Sequence, residues 1–129
     1  MIVDSSAVLA VLLVENDARW FADRLAETPN LRMSTATYIE LITVCDRRIG
    51  REAVADVDEI IGKARIELVP FTIEQVQWAK HARLTYGVGR HPANLNFGDS
   101  FAYALAKRTG EPLLFKGNDF AHTDVVPVT

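Results

Sequence analysis

Short apolar runs alternate with longer stretches of helical periodicity along nearly the whole chain, and few folds accommodate that order. "MIV", "LRMS", "IELVPF", "PLLF" and "DVVPV" read as strands. "DSSAVLAVLLV", "NDARWFADRLAETP", "TATYIELITVCDRRIG", residues 51–65, "TIEQVQWAKHARLTY" and "DSFAYALAKRTG" read as helices, with cap residues at several starts. "GVGRHPANLNFG" is the one long irregular stretch. Strands that are continuous apolar runs, each followed by a helix, predict a mainly parallel sheet covered by helices on both faces, an α/β fold. Ligands of such folds gather beyond the carboxyl ends of the strands, where the strand order switches direction.

The chain has 129 residues, which suits one domain spanning residues 1–129. Hydrophobic residues make up 49% and charged residues 24%, a globular balance rather than a disordered one. The net charge of −3 does not by itself point to nucleic acid, so such a partner has to be argued from where charges sit. Cys45 is the only cysteine, which excludes an internal disulfide and a cysteine-based zinc site, and fits a buried thiol in a reducing compartment. The first residues lack a basic leader segment, and "SSAVLAVLLV" is far shorter than the ~20 residues a membrane span needs. The expectation is a cytoplasmic protein with no membrane association.

Against this background four acids stand out. Asp4 is the only charge in the first fourteen residues and ends the first strand. Glu40 is the only charge in "STATYIELITVC", on an apolar helical stripe with Ala36 and Val44. Asp99 is alone in "ANLNFGDSFAYALA", at a helix start, and Asp119 follows the strand in "LLFKGNDF". Taken singly, Asp4 and Asp99 also read as helix caps, and Asp119 as an ordinary loop acid. Taken together, acids at strand ends and helix starts in uncharged surroundings converge on one pocket. Crowded carboxylates repel and take up protons unless a cation joins them. Oxygen-only ligands select a hard cation, Mg²⁺ or Mn²⁺ rather than zinc, and that is the layout of phosphodiester chemistry.

"MIVDSSA", "STATYIE", "GRHPANLNFGDSFAYALAK" and "PLLFKGNDFAHTDV" together resemble the PIN-domain ribonucleases, specifically the VapC-type toxins of bacterial toxin–antitoxin pairs. The likeness runs in order along nearly the whole chain, and "LNFGD" and "LLFKGNDF" followed by "TD" are its most specific parts. It implies a PIN-like three-layer α/β/α sandwich and a Mg²⁺-dependent endoribonuclease, with Mn²⁺ as a substitute. It implies an RNA substrate, a cognate VapB-type antitoxin whose segment enters the acidic groove, and a homodimer. Carried over by position, Asp4 and Asp99 are direct metal ligands, and Glu40 binds a second metal or holds metal-coordinated water. Ser6 contacts phosphate or a metal water. Asp119 is taken as the fourth acid, with Asn118 a neutral stand-in where many relatives carry a second acid.

Cations near these acids are needed for RNA, and Lys116 and Arg90 are the candidates for the phosphate backbone. An aspartate-nucleophile phosphatase fits worse, because Ser6 stands where its second acid belongs. A phosphoacceptor signalling domain also fits worse, since "IVDSS" supplies one acid and not the further pair it needs. The remaining alternative is a catalytically silent PIN-like module that binds RNA or antitoxin.

Overall fold

The computed structural model describes residues 1–129. Its sheet has four parallel strands, β1 (Ile2–Val3), β2 (Arg32–Ser34), β3 (Glu67–Val69) and β4 (Leu113–Leu114), in the order β3-β2-β1-β4. Six helices connect and cover them: α1 (Ser5–Leu12), α2 (Ala18–Glu27), α3 (Thr35–Arg48), α4 (Glu52–Ala64), α5 (Ile73–Tyr86) and α6 (Asp99–Thr109). The chain lays β2 and β3 outward on one side of β1, then crosses back to place β4 on the other. The switch point therefore lies between β1 and β4, immediately beyond Val3 and Leu114.

Alternation along the strands divides the core in two. Ile2 and Leu113 pair in register and face one side, where they pack with Ala102, Tyr103, Leu105 and Phe120 beneath α5 and α6. Val3 and Leu114, one residue on, face the other side with Met33, Leu41 and Val57 beneath α1, α3 and α4. This is the three-layer α/β/α sandwich expected of the pattern, since apolar residues on successive positions can be buried only between two helical layers.

Two strand-to-helix joints are as short as possible, and both deliver side chains to the carboxyl edge. Asp4 is at once the residue after β1 and the N-cap of α1, accepting from Ser6 N at 3.1 Å. Ser34 ends β2 and caps α3, its hydroxyl accepting from Ala36 N at 3.2 Å. Thr72 caps α5 in the same way, while α6 ends on Gly110, whose φ of 73° suits a residue without a side chain.

One element differs from the sequence expectation. "DVVPV" forms no fifth strand but a single bridge, in which Leu113 N donates to Val126 O at 2.8 Å and Val128 N donates to Leu113 O at 3.1 Å. Both bonds come from the residues flanking Pro127, whose backbone N faces away from β4, so a proline is tolerated on this outer edge. No helix is long and apolar enough to cross a membrane.

Leu114 is fully buried between β1 and the α1–α3 layer. Leu114→Ala is expected to lower stability by about 2–5 kcal/mol through lost burial and the cavity left behind. Urea unfolding followed by circular dichroism measures it.

Candidate active site

The first carboxylate is fixed by the turn that makes it a cap. Asp4 is 2% exposed, and its Oδ2 accepts from both Ser6 N (3.1 Å) and Ser6 Oγ (2.6 Å). The same Ser6 hydroxyl accepts from Lys116 N at 2.9 Å, tying the residue to the segment after β4 across the switch point. Asp4 Oδ1 is buried and has no hydrogen-bond partner.

Asp99, 9% exposed, is held by a reciprocal pair of bonds at the entrance of α6. Asn96 N donates to Asp99 Oδ2 at 3.0 Å, and Asp99 N donates to Asn96 Oδ1 at 2.9 Å. This is a capping box with Asn and Asp in place of the usual pair. Asp99 is the first residue of α6 rather than its N-cap, and the paired bonds with Asn96 aim its carboxylate.

Glu40 lies on α3 and reaches back toward α1. Ser5 Oγ donates to its Oε1 at 2.7 Å. Its carboxylate rests against the backbone of Gly98, in the space a Cβ at that position would fill. Asp119 stands just after β4, where a short 3₁₀ turn (Phe120–His122) begins.

These side chains share one cavity of about 250 Å³, lined by Asp4, Ser6, Glu40, Asn96, Asp99 and Asp119 among others. All four acids singled out from the sequence therefore meet. Asn118 is exposed and does not line the cavity, so Asp119 rather than Asn118 faces it. Lys116 is at the rim, but its ammonium pairs with Glu15 and with Asp17 (2.9 Å). Arg90 sits exposed in the 87–98 loop and takes no part in the cavity.

Sequence reasoning missed Ser5, Asn96 and the use made of Gly98. An Asn three residues before Asp99 at a helix start was a readable signal. The Ser5–Glu40 contact spans 35 positions and was not.

Burial is the main cause of the raised pKa values of Asp4, Glu40 and Asp99. It raises Asp4 above the ordinary carboxylate range, against the Ser6 hydrogen bonds that lower it and with added repulsion from Asp119. It raises Glu40, opposed by Ser5 and aided by Asp4. It also pushes Asp99 up to about 7, with the Asp4 charge the next contributor and Asp119 and Glu40 smaller ones.

A buried, unpartnered carboxylate oxygen beside a second aimed carboxylate suits a hard cation. No three carboxylate, imidazole or thiolate groups converge closely enough to wrap an ion by themselves. Mg²⁺ does not require that, since it takes one or two carboxylates and keeps water for the rest. Asp4 and Asp99 could supply those two carboxylates, with Glu40 and Asp119 in the same cavity.

A family model described as PIN domain matches residues 1–126. Ribonuclease VapC30 of Mycobacterium tuberculosis is 44% identical over 129 residues, covering 99% of this chain and 98% of that protein. Among solved structures, VapC20 of Mycobacterium tuberculosis, described as a sarcin-ricin-loop-cleaving toxin, matches with a TM-score of 0.79 at 20% identity, over 98% of this chain and 97% of that one. VapBC2 of Rickettsia felis, bound to a DNA fragment of its promoter, matches with a TM-score of 0.71 at 14% identity, over 98% and 96%. The two structural likenesses speak for the fold.

The raised carboxyls give stability a definite pH dependence. Asp99 binds its proton more tightly folded (about 7) than at its ordinary value of 3.8, so unfolding releases protons between those limits. Stability of the metal-free protein then falls as pH rises through that window and levels off above it. A divalent cation favours the ionised carboxylates and offsets the loss. In EDTA, Tm is expected to drop between pH 5 and pH 7.5, Mg²⁺ to raise it clearly at pH 7.5 and little at pH 5, and Asp99→Asn to blunt both effects. Differential scanning fluorimetry reads all three, and a Mg²⁺ shift equal at the two pH values would contradict the carboxylate cluster.

Proposed function

We propose, from the premise that this chain belongs to the PIN-domain family and its VapC-type branch, that it is a metal-dependent endoribonuclease toxin of a toxin–antitoxin pair. Residues 1–129 are read as one PIN domain. The observation that carries the proposal is the buried, unpartnered Oδ1 of Asp4 in a cavity shared with Asp99, Glu40 and Asp119. A protein gains nothing in stability from such a group, which is why a ligand is the natural account of it.

Asp4 and Asp99 would hold Mg²⁺, with Mn²⁺ a substitute. A divalent cation bound there supplies Lewis-acid activation of water and neutralises charge at the phosphate. The chain's own groups do the rest. Ser6 keeps Asp4 Oδ2 occupied, so that Oδ1 is the oxygen left for coordination. Asn96 does the same for Asp99 Oδ2. Glu40, anchored by Ser5 through Oε1 and packed against Gly98, would orient the attacking water or serve a second cation from the cavity wall. The water oxygen bonds to phosphorus as the bond to the leaving ribose oxygen breaks, hydrolysing the RNA strand. Asp119 stands at the edge as the fourth acid. Lys116 reaches a phosphate only by leaving Glu15 and Asp17, and Arg90 would meet the strand outside the cavity.

The partners under this reading are RNA, a VapB-type antitoxin and a second copy of the chain. The support is that a structural neighbour is itself a VapBC pair and that VapC30 carries the name ribonuclease.

Purified protein incubated with total RNA should yield discrete fragments with Mg²⁺ or Mn²⁺ and none with EDTA. Asp4→Asn and Asp99→Asn should each cut at least about 10²-fold more slowly, the scale on which loss of a preorganised electrostatic group acts, while circular dichroism shows the fold retained. Full cleavage by either folded variant would remove that residue from the site. A wild-type protein that binds RNA without cutting it would favour the silent binding module.

A further inference from the structure

Gly98 has φ −63° and ψ −38°, an ordinary right-handed helical conformation open to any residue except proline. Its backbone therefore gives no reason for glycine. The reason lies across the cavity: the three atoms nearest to a Cβ built on Gly98 are the two oxygens and the carboxyl carbon of Glu40, too close for both to remain in place. On its other side Glu40 Oε1 accepts a 2.7 Å hydrogen bond from Ser5 Oγ, a side chain itself largely buried at the first position of α1.

We infer that Gly98 and Ser5 are positioning residues that form a two-sided seat for Glu40, one by leaving room for its carboxylate and the other by anchoring one of its oxygens. The seat joins three elements of the carboxyl edge: α1 through Ser5, α3 through Glu40 and the entrance of α6 through Gly98. Without it a glutamate side chain with three rotatable bonds has no reason to hold one orientation, and ordering a chain of that length carries an entropic penalty that the seat offsets. Glu40 lacks the turn that fixes Asp4 and the capping box that fixes Asp99, so its placement depends on residues distant in sequence. The consequence for cleavage rests on the reading of Glu40 as part of the ribonuclease site, whereas the seat itself is a matter of packing and can be measured without RNA.

The test is a background swap. In the wild-type background Gly98→Ala should displace the carboxylate from Ser5, so its effect on Tm should be less favourable than in a background without Glu40. In the Glu40→Ala background the same change should raise Tm by about 1–5 °C, the gain ordinary for Gly→Ala at a helical φ and ψ. Ser5→Ala should lower Tm in the wild-type background and leave it unchanged in Glu40→Ala. Either substitution acting with the same sign and size in both backgrounds overturns its part in the seat. In cleavage assays, Gly98→Ala and Glu40→Gln should each slow the reaction, and the double variant should be no slower than the worse single one. Losses that multiply would mean that Gly98 acts on Asp99 or the fold instead, and would overturn the inference. If the wild-type protein cuts no RNA, the ribonuclease reading fails while the Tm comparison still decides the seat.

Discussion

Everything at the carboxyl edge depends on the burial of one charge. Asp4 stands where β1 stops and α1 starts, and no loop separates the two. The requirement to cap α1 fixes its backbone and one oxygen, and the parallel pairing of β1 with both neighbours fixes its height above the sheet. What is left is a buried oxygen with no hydrogen-bond partner, at the wall of the cavity. Removing a carboxylate from water without compensation opposes folding by several kcal/mol. A fold that retains such a group sacrifices stability at that point, the usual mark of a site kept for binding or chemistry.

The topology makes one site out of residues that lie far apart in sequence. Because β4 returns to the far side of β1, the turn after Leu114 lies beside Asp4, and the Ser6 hydroxyl bridges the two through Lys116 N. Helix α6 begins at the same edge and presents Asp99 in its first turn, where the helix dipole favours a negative charge. Asp4 and Asp99 are therefore held by hydrogen bonds to nearby backbone, whereas Glu40 relies on the facing elements. The two cores keep this edge rigid: a strand of two residues, Ile and Val, feeds one side chain into each.

Much of this was legible because the informative residues violate their surroundings. A lone acid in an apolar stretch is conspicuous without a structure, and Asp4, Glu40 and Asp99 were found in that way. Helices ended near their expected limits, since Gly50, Gly110 and Pro29 punctuate the chain. The failures have the opposite character. "DVVPV" reads as apolar enough for a strand, yet it forms only one bridge to β4. Nearness in sequence places Lys116 correctly at the cavity wall, where it also pairs with Glu15 and Asp17 a hundred positions away, but it does not bring Arg90 to the cavity. Ser5 and Gly98 carry no charge and match their neighbours, so nothing marked them until Glu40 was seen between them.

Charge balance then constrains how an anionic strand enters. Four carboxylates and the single ammonium of Lys116 line the cavity, a net −3 if every acid is ionised. One divalent cation brings that to −1, and a phosphodiester would still be repelled. Raised carboxyl pKa values ease the conflict: Asp99 at about 7 can carry a proton near neutrality, and burial raises Glu40 as well. Cation binding expels protons from the acids that coordinate it, while an arriving phosphate favours protonation of those that do not. Lys116 provides a second adjustment. Glu15 and Asp17 raise its pKa and hold its charge at the rim, so it stays cationic at any physiological pH. A phosphate must compete with two carboxylates for that ammonium, and the competition is weaker at the high ionic strength that screens the exposed pair. On the proposed reading, a cation would have to offset part of this negative charge before an anionic strand is accommodated.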